Sequence, residues 1–451
     1  MESKELPTRR DAVVTAGAAA GVAALSYGHF VHAGESNKVK VALVGAGGRG
    51  TGAADQALST TSGPIELSAV ADVFQARLDN SLKQLTRRHD EKVKVFDNKF
   101  IGFDAYKNAM DTLRPGDVVI LTTPPAFRWV HFKYAIEKGL NVFMEKPVTV
   151  DGPSTRKMLE LGELSVKKGL KVGVGLMCRH CVVREELHKR IQDGAIGDIQ
   201  LLRAYRMSGP VASCFSKKKP EGISETLYQI QRFHSFLWAS GGSFSDFLIH
   251  NIDESCWMKN AWPVKAHGIG GRHYRGDYID QNFDSYEVEY TFADGTKFYL
   301  GGRNISGCHD EFASYAHGTK GSAIISALSH TPARSKMFKT QKFDPKDQIW
   351  SGPEREPNPY QTEWDRLIKA IREDKPHNEV KRGAEASLVT AMGRMACHTG
   401  QTISWDDALN SKQELGANLD QLTFESPAPV LADKDGKYPV PMPGQKGKME
   451  Y

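Results

Sequence analysis

Over residues 37–178, apolar stretches alternate with segments spaced for a helix. Apolar residues cluster on successive positions in VKVALV (39–44), IELSAVAD (65–72), DVVILTTPP (117–125), NVFM (141–144) and KVGVGL (171–176). Runs of this kind predict strands buried on both faces, as in a parallel sheet. Between the third and fourth, WVHFKYAIEKG (129–139) places Val130, Tyr134 and Ala135 at helical spacing and stops at Gly139. Strands alternating with helices predict an α/β, doubly wound parallel sheet, whose ligands sit at the carboxyl ends of the strands.

The pattern changes after residue 178. SYEVEYTFADGTKFYLGGR (285–303) carries two alternating runs around Ala-Asp-Gly, a hairpin signal. GTKGSAIIS (318–326) reads as a turn and a strand. TEWDRLIKAI (362–371) and AEASLVTAMGRMACHTG (384–400) read as late helices, the first with Trp364, Leu367, Ile368 and Ile371 on one face. From Ser426 the chain is rich in Pro, Lys and Gly and is expected to be extended or to wrap a neighbour. The 451 residues exceed one ordinary core. The expected division is 37–178, 179–425 and a tail at 426–451, with no internal repeat.

Candidate chemistry concentrates at the strand ends. After the first strand come Gly45, Gly47 and Gly50 in G-x-G-x-x-G spacing, with Gly48 and Arg49 between them, and a helix-like segment follows. Glycines there permit a tight turn and let backbone N–H groups approach a pyrophosphate. The second strand ends at Asp72, 22 positions after Gly50, where a carboxylate binds ribose hydroxyls and repels a 2′-phosphate. NAD is therefore favoured over NADP. The bland reading of Asp72 is a turn residue. The NVFM strand ends by presenting Glu145 and Lys146 before Pro147, where nicotinamide and substrate should meet.

HFKYAIEKGLNVFMEKP (131–147) and GGSFSDFLIHNIDESCW (241–257) resemble the two signature motifs of the Gfo/Idh/MocA oxidoreductases, the glucose-fructose oxidoreductase and inositol dehydrogenase family. GAIGDIQLLRAY (194–205) looks like that family's entry into its substrate domain. The segments at 250–272 and 358–383 look most like its exported, twin-arginine members abundant in planctomycetes, most of them known only as NADH-dependent dehydrogenases by resemblance. The resemblance implies a Rossmann domain followed by an α+β domain with a large open, mostly antiparallel sheet that builds dimers or tetramers. It implies hydride transfer between NAD and a secondary alcohol or ketone of a sugar, sugar derivative or cyclitol. Lys146 would be the polariser and proton relay, Asp246 the orienter and His250 the general base. Gly45, Gly47, Gly48, Arg49, Gly50, Asp72, Thr123, Pro124, His131, Glu145 and Lys146 would line the cofactor, and Arg179 and Asp253 would reach the substrate. An alternative within the same resemblance is an NAD-dependent glycosidase working by transient oxidation and elimination. The Glu-Lys-Pro triplet argues against it. A non-catalytic sensor on the same fold is the third reading.

Each residue has a plainer role to set beside this. Glu145 could pair with Lys146, Asp253 could brace its helix, and a lone histidine is more often structural than catalytic. Cys178 and Cys181 form a Cys-x-x-Cys, but no second pair at metal spacing exists, so no metal site is expected and the cysteines read as packing. RFHSFLW (232–238) could be core or a sugar-stacking surface, and core is expected. The net charge is +5 and the longest basic run is Lys217-Lys218-Lys219, too little for a nucleic-acid footprint. At the N-terminus, Arg9-Arg10 precede an Ala- and Gly-rich apolar stretch to Leu25 and a small-residue site at Val31-His32-Ala33. Residues 1–33 therefore read as a twin-arginine signal for export to the periplasm, with no membrane span in the remaining chain.

Overall fold

The computed structural model describes residues 37–273, 275–445 and 450. The expected signal segment lies outside these residues. Two sheets organise the chain. The first holds β1 (Val39–Val44), β2 (Ile65–Asp72), β3 (Lys99–Ile101), β4 (Val118–Leu121), β5 (Asn141–Met144) and β6 (Val172–Val174), all parallel, in the order β3-β2-β1-β4-β5-β6. The order reverses between β1 and β4, which opens a crevice at the carboxyl ends there.

The apolar runs partition by side-chain alternation. Val41, Leu43, Val118, Ile120 and Phe143 join one core, while Ala42, Val44, Val119, Leu121, Val142 and Met144 join the other. Helices Gly48–Leu58 and Gln75–His89 cover the first face, and helices Arg128–Glu137 and Gly152–Lys167 contribute to the second. The last of these starts at a capping box in which Asp151 and Ser154 bond each other's backbone N–H.

The second sheet contains β7 (Ile199–Ser208), β8 (Lys265–Gly271), β9 (Ser285–Thr291), β10 (Lys297–Asn304), β11 (Glu311–Gly318), β12 (Ser322–Ala327), β13 (Lys336–Phe338), β14 (Gln348–Ser351) and β15 (Ile403–Ser404). Its order is β14-β13-β12-β11-β7-β10-β9-β8-β15, antiparallel except where β10 runs parallel to β7. Helices Gly242–Lys259 and Val380–Thr399 pack on one of its faces. The hairpin expected around Ala-Asp-Gly is β9–β10, with Phe298 opposite Tyr290.

Two expectations change on folding. Helix Pro359–Arg372, placed with the second domain by its position in the chain, returns to the first sheet. Its predicted face (Trp364, Leu367, Ile368 and Ile371) is buried in the core shared with Phe143 and Leu43. The stripe needed an apolar partner, and the open face beside Gly48–Leu58 supplied it. The described residues of the tail form no helix or strand and pack against their own chain. Val430 and Tyr438 join the core between the sheets, and Glu450 is buried against Arg394 and His398. No helix among the described residues is long and apolar enough to cross a membrane.

Candidate active site

The cavity at the carboxyl ends of the first sheet is built from successive strand ends. β1 delivers Gly45, whose φ of +93° suits glycine, and a Cβ there would lie 2.6 Å from the Thr123 nitrogen. A Cβ on Gly50 would stand 2.0 Å from the Gly45 carbonyl oxygen. Gly47 and Gly48 differ, because a Cβ on either meets nothing within 4 Å. They leave an open cradle at a helix N-terminus, where the first N–H groups lack intrahelical partners. A dinucleotide's pyrophosphate fits this cradle.

Asp72 ends β2, lines the same cavity and is nearly buried. Its Oδ2 accepts the Ala46 N–H at 2.7 Å and its Oδ1 the Phe74 N–H at 2.9 Å. Burial raises its pKa, against those two hydrogen bonds and Arg77. Each carboxylate oxygen keeps acceptor capacity for a ribose hydroxyl. Thr123 and Pro124 follow β4. His131 lies behind them with Nδ1 3.2 Å from Thr123 Oγ1, its ring centroid 4.3 Å from that of Tyr106.

β5 ends at Met144, and Glu145 and Lys146 separate at once. Glu145 does not pair with Lys146. Its Oε1 takes the Arg49 Nε–H at 2.6 Å, and the missing side chain of Gly175 makes room for its other oxygen. Lys146 reaches across to the second domain and donates to the Asp246 carbonyl oxygen at 2.7 Å, with the Asp246 carboxylate 3.8 Å away. Asp246 and His250 lie one turn apart on helix Gly242–Lys259, so both side chains enter the cavity. The structure thus brings the glycine loop, Asp72, Thr123, Pro124, His131, Glu145, Lys146, Asp246 and His250 to one cavity. It does not bring Arg179 and Asp253. They close a buried pair with three contacts of 2.8–3.1 Å, which spends both groups on each other and braces the far side of the helix.

Further residues that the signature motifs do not announce reach the cavity, among them His234, Arg128, Arg206 and His330. His234 from RFHSFLW lines it together with Phe233, while Phe236 and Trp238 are core, so the expectation of core packing holds for only part of that group. His234 Nε2 sits 3.2 Å from Asp246 Oδ2, and Ser213 Oγ lies 2.7 Å from its Nδ1. Burial pushes the Asp246 carboxyl up, but Lys146 and the His234 hydrogen bond outweigh it and hold its pKa at about 2. An ionised acceptor requires the proton of His234 to be on Nε2. Arg128 is fully buried and donates from Nη2 to the Thr123 carbonyl, and its Nε and Nη1 find no partner among the described residues. Arg206 enters from β7, and His330 from the loop after β12.

Cys178 is not mere packing. Its Sγ lies 3.9 Å from Nδ1 of both His250 and His330. Cys181 turns away and donates to Glu356. The ligand atoms of Cys178, His250 and His330 fall within 4.8 Å of one another, a spacing that a metal could bridge. Lys146, Arg206 and Arg184 act on both histidines, and their charge opposes a further cation there.

Residues 39–176 match the Gfo/Idh/MocA family, described as an oxidoreductase family with an NAD-binding Rossmann fold. That match spans the first sheet and its helices, so this part of the chain is similar to the NAD-binding domain of that family. Aldose-aldose oxidoreductase from Caulobacter crescentus, complexed with glycerol, superposes with a TM-score of 0.62 at 17% identity, over 81% of this chain and 99% of that one. Scyllo-inositol dehydrogenase from Lactobacillus casei, with bound NAD(H) and scyllo-inositol, gives 0.58 at 20% identity, over 82% and 99%. At these identities the likeness is one of fold. Inositol 2-dehydrogenase of Corynebacterium glutamicum is 25% identical over 208 residues, 46% of this chain and 55% of that protein. The NAD⁺-dependent scyllo-inositol 2-dehydrogenase of Bacillus subtilis is 24% identical over 233 residues, 51% of this chain and 61% of that protein.

Three of the cavity's histidines, His131, His250 and His330, are held neutral. Burial, then Arg128, takes His131 to about 3. Burial, then Lys146 and Arg206, holds His250 well below its ordinary value, and burial, then His250 and Arg206, does the same for His330. Unfolded histidine gains a proton near pH 6.5 and these do not, so stability falls as pH drops below about 6.5. Asp246 acts elsewhere: its contribution is present above about pH 3.9 and is lost as pH falls toward about 2. Between pH 7 and pH 5 the urea midpoint should therefore decline. His250→Gln should make the decline shallower, and an unchanged slope would remove His250 from the neutral buried set.

Proposed function

We propose that this protein is an NAD-dependent dehydrogenase that moves hydride between nicotinamide and a secondary alcohol or ketone of a sugar, sugar derivative or cyclitol. One observation carries this reading. Lys146, at the carboxyl end of a parallel strand, meets Asp246 and His250 from the second domain in a cavity continuous with the glycine cradle. When bound, the nicotinamide supplies the hydride acceptor or donor. Lys146 holds positive charge where an alkoxide would develop, and its bond to the Asp246 carbonyl fixes its direction. His250 is neutral and thus able to accept the hydroxyl proton. With Nδ1 turned to Cys178, Nε2 is the atom for that proton. Asp246 stays ionised, and His234 holds it in place. The inositol and aldose oxidoreductases among its relatives support the same class of substrate.

Lys146→Ala should lower kcat by about 10²–10⁴-fold while NAD affinity, followed by fluorescence titration, changes little. Full activity in that variant would overturn the proposed site, and sugar release from glycosides without lasting NADH would move the reaction to the glycosidase class. For the cofactor, Asp72 at the end of β2 supports NAD over NADP. Asp72→Ala should weaken NAD binding and relax discrimination against NADP, and an unchanged NAD to NADP ratio would remove Asp72 from the ribose site. Arg9-Arg10 and the apolar stretch after them support export by the twin-arginine route. Replacing both arginines with lysine should retain the protein in the cytoplasm on cell fractionation. Unaltered export of that variant would sink the assignment.

A further inference from the structure

The acids of the cavity's chemical end are already engaged. Glu145 pairs with Arg49, and Asp246 is shared by Lys146 and His234. Arg128 lacks a hydrogen-bonded acid, but the charges of Glu145 and Asp246 act on it. Arg206 is different. It lies on β7 on the same face as buried Leu202 and Ala204, which turns it toward the cavity rather than the sheet's other face. Its guanidinium stacks on Phe312, its neighbour across β11, 3.7 Å from the ring centroid. Its hydrogen-bond partner is the Nε2 of His330 at 3.4 Å. A guanidinium only donates, so His330 must accept at Nε2 and carry its proton on Nδ1. Among the described residues no carboxylate lies within ion-pairing distance of Arg206. The acid whose charge acts on it, Glu254, is spent on Arg184 and on the Ser326 hydroxyl. A half-buried cation facing a cavity without a counter-ion points to a ligand that brings one.

We propose that Arg206, oriented by His330 and Phe312, is an oxyanion subsite, and that the substrate is an anionic sugar bearing a carboxylate or a phosphate monoester. The guanidinium fork matches either group through paired N–H···O bonds. The pyrophosphate of the cofactor does not meet this need, since its cradle is the glycine loop of the first domain and Arg206 stands with His330 and His250 on the second. The inference rests on the dehydrogenase reading for the substrate's sugar part, whereas the anion site stands on Arg206 itself.

The test compares a hexose, the corresponding hexuronate and the hexose 6-phosphate. Binding to the NADH-loaded protein is measured by calorimetry, and NAD reduction is measured in parallel. At least one anion should bind ten-fold or more tightly than the neutral parent, and the arm that does so identifies the group. Arg206→Met should abolish that preference, its loss falling at least ten-fold more heavily on the anion than on the hexose. Arg206→Lys, which keeps the charge but not the fork, should retain part of it and controls for misfolding. Absence of any Arg206-dependent preference for an anion overturns the proposal. NAD reduction by neutral sugars without such a preference leaves the dehydrogenase standing and removes the subsite. Arg206-dependent anion binding with no reduction by any sugar does the reverse.

Discussion

The chemistry of this protein depends on one contact between two sheets, the hydrogen bond from Lys146 to the backbone carbonyl of Asp246. A lysine side chain about 15% exposed must find acceptors or pay for its desolvation. Its neighbour Glu145 is held by Arg49. The helix Gly242–Lys259 supplies the acceptor and brings Asp246 and His250 with it. Satisfying this amine thus ties the end of β5 to helix Gly242–Lys259.

A second buried cation holds the same two segments from behind. Arg394, on helix Val380–Thr399, donates to the carbonyl of Val150, just past the Glu-Lys-Pro turn, at 2.9 Å, and lies 3.3 Å from the Ser245 hydroxyl, one residue before Asp246. Its charge is answered by Glu450, which also accepts from His398. Burial pushes the Glu450 carboxyl up, but Arg394 and His398 outweigh it and bring its pKa to about 2. Removing one partner from a pair this deep costs about 3–5 kcal/mol, since the other charge is left stranded. The tail is therefore part of the scaffold beneath the site.

Much of the first domain was legible because its signals are local. A short apolar run rich in β-branched residues fits an inner parallel strand, and glycines at 45, 47 and 50 after such a run fit a dinucleotide turn. The face of Trp364, Leu367, Ile368 and Ile371 was legible as a stripe, but its partner was not, since a stripe carries no address. Arg179 and Asp253 show the opposite failure. Their place near a motif suggested substrate contact, yet in the fold two opposite charges found each other and closed off.

Arg206, His234 and His330 mark the limit. Arg206 and His330 lie in segments with no spacing or composition that points to chemistry, and His234 lies in an aromatic group that read as core; the three are brought together from β7, a loop after β12 and a short helical turn. The sequence by itself determined the doubly wound sheet, the cradle for a dinucleotide and the lysine at a strand's end, because periodicity and backbone freedom act over a few neighbouring residues. Only the tertiary structure decided which charges neutralise one another and which one is left facing the cavity. Pairing depends on distances between residues far apart in the chain, and those exist only after the chain has folded.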